Sequence, residues 1–430
     1  MMSINLLKNI PSVIVIVFFA TSFLVTTIFR HIGLATNALL FLLVLLLKIK
    51  INLTKINLAT EDKHILWLFY LFFYVSFATV SFFNMFIAGV YYIKYYPGIF
   101  GRMANVTLYF VMFLFIINER NNERISTKTF LKAYTAGCFV LLFFGIWQIL
   151  NMIFQVPYPD FGTRDRLREE NIRVAFPFLT ARVTSITQEP AYLTPFLMDA
   201  IIILFYTTRK YLLIVLFVIV LFFTLSLGGY VNFFLVALIM LLLAKKTIKT
   251  YFAKIFLFVS GIYGVYMMRD IVFVIFRRLN PAELFLSARL QNSILSIRYM
   301  FYEASLFNIL FGFGPRGLGY VRNYIFYQHG WRQGEIIDIT THIIFVDFFI
   351  DFGIIGVLMI VLLFFYLFML STNAYRMTGN RLGQVLCLNL IITSLYTADY
   401  ATPRFTAIMI LLLCIFKDSK NKKELVAVNT

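Results

Sequence analysis

Charge is scarce in this chain. Asp, Glu, Lys and Arg make up 13% of its 430 residues, whereas a soluble domain carries roughly a quarter. That shortage excludes an all-round aqueous surface, and a hydrophobic content of 61%, with aromatics at 18% of the chain, assigns the missing surface to lipid. Cysteine is also rare. Cys138, Cys387 and Cys414 all fall inside apolar runs, which suits small buried hydrophobes better than disulfide partners or metal ligands. Acid is outnumbered, 20 residues against 38 basic ones. In a soluble protein the net charge of +18 would point to nucleic acid; here its distribution along the chain argues for a different use and no nucleic-acid partner.

What is abundant is apolar sequence in lengths that span a bilayer. A span needs about 20 apolar residues, and such segments run over 10–29, 32–47, 65–87, 103–117, 133–153, 191–207, 211–227, 229–244, 251–268, 342–370, 384–399 and 404–416. The expectation is an all-α polytopic membrane protein of about 12 transmembrane helices, one membrane domain over residues 1–430. Lys8 precedes the first run and no small-residue cleavage motif follows it, so that run is expected to be a span and not a cleaved signal.

Basic residues orient the spans, because cytoplasmic connections retain Lys and Arg. With both termini inside, every lysine except Lys94 falls on the cytoplasmic side. The arginines divide the other way, with only Arg120, Arg124, Arg209, Arg376 and Arg381 inside. Orientation alone does not distinguish the two residue types. An external face built from arginine supplies planar, permanently charged donors suited to phosphate or carboxylate, and it also suits snorkelling to lipid phosphates.

Two external segments are long enough to hold a site. Residues 155–190 carry Arg164, Arg166, Arg168, Arg173 and Arg182, and residues 269–341 carry eight arginines plus His329. In the first, Arg182 to Glu189-Pro190 leads into a span; Pro190 suits a helix start, so Glu189 sits where the dipole favours a carboxylate. It is either a base at the membrane interface or an ion-pair partner of Arg182. In the second, Leu286, Leu290, Ile294, Ile297 and Phe301 recur at helical spacing and predict one apolar stripe, which a helix lying in the membrane interface would show equally without catalysis. Arg289 and Arg298 flank that stripe about 180° apart, and spacing does not choose between them. Phe311-Gly312-Phe313-Gly314-Pro315-Arg316-Gly317 reads as a turn closing that loop's helix, with Arg316 aimed inward. His342 stands at the mouth of the tenth span, ahead of Asp347, Asp351, Gly353 and Gly356, where proton exchange and a structural role are both open. Asp199, Asp347, Asp351 and Asp399 lie in or near spans, where proton coupling and helix packing are both open. No Asp-x-Asp or Glu-x-Asp pair stands in an external segment, which argues against a metal-dependent transferase; no cofactor is expected. No nucleotide motif occupies a cytoplasmic segment, which argues against an ATP-driven pump.

In order, these features resemble the O-antigen polymerase and ligase superfamily of bacterial surface polysaccharide assembly. The motifs are Arg182 through Glu189-Pro190, Ser226-Leu227-Gly228-Gly229-Tyr230, the Arg289 helix leading into Gly312-Phe313-Gly314, and His342 before Asp351-Phe352-Gly353. The resemblance covers roughly 175–370 by motif. It implies a GT-C-like helical membrane glycosyltransferase with a large, partly helical external loop. Such an enzyme acts on polyprenyl-pyrophosphate-linked oligosaccharides at the outer face of the bacterial inner membrane. By position, Arg182 and Arg289 would grip the pyrophosphate, with Arg298 and Arg316 as further candidates. His342 would lie near the reacting centre, with Glu189 or His342 as base and no metal. The Glu-Pro form resembles repeat-unit polymerases more than ligases, and His342-Ile343 departs from the ligases' His-Asn. Gly228-Gly229 replace a Ser-Arg pair common among relatives. A ligase acting on lipid A core, or a flippase or exporter of lipid-linked sugar, are the alternatives, although no internal repeat supports a transporter. Membrane lipid, a chain-length regulator and a flippase are the implied partners.

Overall fold

The computed structural model describes residues 2–50, 57–82, 96–159, 181–243, 288–318, 321, 341, 343–397 and 400–428. Among them every regular element is helical, and the only extended pairing is an isolated antiparallel bridge between Thr27 and Thr187. In chain order the helices are α1 (Met2–Ala20), α2 (Arg30–Lys50), α3 (Thr60–Ile65), α4 (Phe72–Phe82), α5 (Tyr96–Asn121), α6 (Thr127–Phe154) and α7 (Pro190–Thr207). There follow α8 (Tyr211–Phe223), α9 (Leu227–Leu243), α10 (Ala288–Tyr302), α11 (Leu306–Phe311), α12 (Ile344–Thr378), α13 (Leu382–Thr393) and α14 (Pro403–Val428). A π-helical segment, Leu66–Leu71, joins α3 to α4 without a break.

Six of these stretches are long and apolar enough to cross a membrane: Arg30–Leu47, Thr60–Val80, Ile99–Asn121, Thr127–Phe154, Pro190–Thr207 and Ile344–Thr378. Ile10–Thr26, α8, Gly228–Leu242 and α13 are shorter apolar helices. The protein is therefore an all-α, membrane-embedded bundle. The expected span 251–268 lies outside the described residues. Helix ends follow local chemistry. Ser126 caps α6 by accepting the Thr129 N–H at 3.2 Å, which starts that helix several residues before its apolar run. Glu189 is the residue preceding α7 and Pro190 occupies its first turn, as their order in the sequence predicts.

Two helices form the interior. In α14 every residue from Ala407 to Leu413 is essentially inaccessible, and α7 is buried almost all round from Leu193 to Leu204. A helix that is apolar on all sides belongs inside a bundle. The outer helices instead present apolar residues outward, such as Leu212 and Val215 on α8 and Leu358 and Phe365 on α12.

The interior is pinned by one polar network. Arg404 of α14 grips Asp199 of α7 with two nitrogens, Nε to Oδ2 at 2.8 Å and Nη2 to Oδ1 at 3.1 Å. Tyr134 of α6 donates to the same carboxylate at 2.6 Å, and so does Asn389 of α13 at 2.6 Å. Asn232 of α9 extends the chain to Asn389 at 2.8 Å and to the Tyr396 hydroxyl at 3.3 Å. Both Asp199 carboxylate oxygens are thus multiply satisfied, which is the condition for a charge at this depth. Of the two openings left for Asp199, helix packing is the one this geometry supports.

The connections gather at two ends. At one end, Lys417 bonds Asp62 at 2.6 Å, Arg124 pairs with Glu119 at 3.1 Å, Lys420 lies 3.6 Å from Glu61, and Arg120 meets Asp418. This clasp joins α3, α5 and α14 at the end where the lysines collect. The opposite end carries the segments singled out above.

Candidate functional site

Residues 181–189 do not stay on the surface. They turn back into the bundle as a non-helical strap in which Val183, Thr184, Ser185, Ile186 and Thr187 are buried. The hydroxyl of Ser185 donates to the Leu141 carbonyl at 2.8 Å. Leu141 is thirteen residues short of the α6 end at Phe154, which at 1.5 Å per residue is about 20 Å along that helix. Backbone lacking helical bonds is tolerated at such depth only when protein groups satisfy it. Here Gln148 accepts from the N–H groups of both Thr184 and Ser185, each at 2.9 Å. Ile28 donates to Ile186 at 3.0 Å, Gln188 to Thr26 at 3.1 Å, and Val183 to Phe223 at 2.9 Å. Tyr158 clamps the strap from above, donating to the Ser185 carbonyl at 3.0 Å. Burial pushes the Tyr158 phenol well above its ordinary range, so it remains a donor. Arg182, half-buried, stands at one end of the strap and interacts with Tyr230; Glu189, mostly buried, stands at the other.

Beside the strap, α8 turns into α9 through Thr224–Ser226, and the glycine pair follows. A Cβ on Gly228 would lie 2.4 Å from the Tyr396 ring, and one on Gly229 would lie 2.6 Å from the Thr194 methyl. The glycines are there because Tyr396 and Thr194 occupy the space a larger pair would need.

A second substructure joins the glycine loop to α12. Gly353 breaks α12 with φ 67 and ψ −162, so the carbonyls just before it lose their in-helix donors. The loop supplies replacements. Phe313 donates to Ile350 at 2.8 Å and Gly314 to Asp351 at 2.8 Å. Gly312 closes α11 at φ 80 and ψ −169. The two backbones touch: a Cβ on Gly312 would lie 2.3 Å from Phe352 N, and one on Gly353 would lie 2.3 Å from the Leu310 carbonyl. The Asp351 carboxylate then fixes the turn, accepting from Gly317 N–H at 2.8 Å, from Tyr400 at 2.8 Å and from the Arg316 N–H. Arg102 of α5 stacks over the Tyr400 ring at 4.6 Å and acts electrostatically on Asp351.

Arg316 itself sits at φ 64, a conformation that costs a non-glycine residue about 1–2 kcal/mol. Arg316 is half-buried, and glycine at this position would relieve that strain. Arg316→Gly should therefore leave folded yield and thermal stability unchanged or slightly improved, measured by detergent-solubilised melting. A drop in melting temperature would show that its side chain serves the fold.

Asp347 organises the approach to position 342. Its Oδ1 accepts from both the Thr341 N–H and the Thr341 hydroxyl, each at 2.8 Å, and Ile343 N–H bonds that hydroxyl at 3.2 Å. The chain is thus pinned on either side of His342, which lies outside the described residues together with Arg164, Arg166, Arg168, Arg173, His329 and Asp399. Of the two α10 arginines, Arg298 is exposed. Arg289 stands in the first turn of α10, and its side chain lies outside the described residues; farther along, Ser293, Ser296 and Met300 are buried. The described members of the predicted stripe share one face, and that face is exposed. Ile294, Ile297 and Phe301 are exposed, while Leu295 and Met300 join Leu318, Val321, Val346, Phe349 and Ile350 in a small satellite core.

The structure thus brings the strap, the glycine loop and the start of α12 to one end of the bundle. Arg102, Tyr400 and Gln148 belong to this end, and nothing in their local sequence marks them. Among the described residues no three His, Cys, Asp or Glu side chains gather to hold a metal ion. The class of protein defined so far is a helical membrane protein with a buried strap and an arginine-bearing loop at one end. No protein-family model matches the chain, and no curated protein matches it.

Proposed function

We propose that this protein is a membrane glycosyltransferase, a GT-C-like repeat-unit polymerase. It would transfer a growing glycan from polyprenyl pyrophosphate onto the next lipid-linked unit at the external face of a bacterial inner membrane. The observation that carries the reading is the buried strap. It holds Arg182 and Glu189 at its two ends, on the same end of the bundle as Arg316 in its φ-positive turn. Glycosyl diphosphates already possess a leaving group. Their transfer needs fixed positive charge where charge grows on the diphosphate, and a base for the attacking hydroxyl. Arg182, Arg289 and Arg316 suit the first need, with Arg298 as an exposed auxiliary. Glu189, or His342 on the chain anchored by Asp347, suits the second. The saturated Asp199–Arg404 pair supports a rigid scaffold over the proton-coupled exporter alternative.

The test uses purified protein in proteoliposomes with a synthetic polyprenyl-pyrophosphate oligosaccharide. A ladder of lengthened lipid-linked glycans is expected, and Arg182→Ala or Arg289→Ala should each lower its rate about 10²-fold, the usual loss when a charge-stabilising donor is removed. Movement of substrate across the bilayer without bond formation would overturn the proposal in favour of an exporter. Transfer only to a lipid A core acceptor would make it a ligase.

A further inference from the structure

We infer that α10 and α11 form an elbow seated in the outer part of the bilayer, with Ile294, Ile297, Phe301, Leu306 and Leu310 immersed in lipid and Arg298 at the phosphate level. The elbow does not depend on the enzymatic proposal. It rests on where the exposed apolar surface lies. The first ten residues of α12, up to Gly353, are buried apart from the partly covered Phe345. Outward-facing apolar residues begin at Ile354 and continue through Leu358, Val361, Leu362, Phe365 and Met369, the lipid-facing stripe of a spanning helix. The end of α11 meets α12 at Gly353, where a glycine Cβ would strike Leu310. Leu306, 72% exposed, and Leu310 therefore stand level with the top of that stripe.

α10 continues the same surface. Its buried row of Ser293, Ser296 and Met300 faces the protein, and Phe301 reaches back to Phe349 at 5.3 Å while remaining 58% exposed. An isolated exposed leucine means little, but a contiguous ridge of large apolar side chains running into a lipid-facing stripe has one compatible solvent. Arg298 falls on the exposed side of the helix beside Ile294 and Phe301, where a long cationic side chain reaches a phosphate from an immersed helix. A lipid-tailed molecule diffusing in this leaflet would meet α10 directly.

The three native cysteines are buried, so single exposed cysteines label selectively. Ile294→Cys, Ile297→Cys and Phe301→Cys carry a nitroxide in full-length protein reconstituted into phosphatidylcholine–phosphatidylglycerol vesicles. Leu358→Cys on α12 is the lipid reference, and Glu123→Cys, in the exposed turn between α5 and α6, is the water reference. Collision with oxygen should exceed collision with a soluble nickel chelate at all three elbow positions, as at Leu358. Nickel access matching that at position 123 would overturn the elbow, placing the ridge in water. Spin–spin broadening at these positions would overturn it too, showing that a second copy of the chain covers the ridge.

Discussion

Replacing Asp199 with alanine should lower stability by about 3–5 kcal/mol, because it strands the Arg404 guanidinium in the centre of the bundle without its counter-charge. Arg404 and Asp199 are 7% and 0% exposed, so neither water nor lipid headgroups can reach them. The same substitution removes the acceptor shared by Tyr134 and Asn389. Arg404→Met should destabilise comparably. The double variant Asp199→Leu with Arg404→Met should recover most of the loss, since a well-packed apolar pair replaces a buried ion pair at little cost. Reversible unfolding in mixed micelles measures all three. If the double variant is as unstable as the singles, the network beyond the ion pair, through Asn389, Asn232 and Tyr396, holds the helices together.

Gly353→Ala should prevent accumulation of folded protein. At φ 67 and ψ −162 the backbone occupies a region reserved for glycine, at a cost of roughly 1–3 kcal/mol to any other residue. Its Cβ would also meet the Leu310 carbonyl and the Phe311 nitrogen, at 2.3 Å and 2.5 Å. Those are backbone atoms held by Phe313 and Gly314 bonding back to α12, so the clash does not relax by rotating a side chain. Gly379, past the end of α12, has a similar φ of 69 but nothing within 4 Å of a built Cβ. Gly379→Ala should therefore cost only about 1 kcal/mol. Comparing size-exclusion yield and melting temperature of the two variants separates contact from conformation. Equal behaviour would mean that the glycine loop does not press on α12.

Much of the fold was legible because lipid imposes a simple rule on composition. Apolar length set the helices, Ser126 and Pro190 set their starts, and the lysine-rich end emerged as the ionic clasp of Lys417, Lys420, Arg120 and Arg124. The candidate site was legible in pieces only. Glu189 followed from its proline, and the turn at Gly312 from its glycines. The strap did not, since its depth depends on Gln148 satisfying Thr184 and Ser185 across 36 and 37 residues, and hydropathy sees only a polar stretch between spans. Arg102 and Tyr400 meet across nearly 300 residues without a motif. The α10 stripe was legible as a shared face but not as a destination. Periodicity identifies which residues share a face, but in a membrane an apolar face has two acceptable destinations, and here the serine-lined row took the protein side.

The position of α14 has a consequence for biogenesis. Asp199 enters the bilayer with α7, whereas Arg404 lies 205 residues later in the chain. At roughly 5–20 residues per second of synthesis, that carboxylate waits on the order of 10–40 s for its partner. Insertion of α14, buried from Ala407 to Leu413, supplies that partner. Until then the Asp199 carboxylate lacks the guanidinium that grips it in the finished bundle.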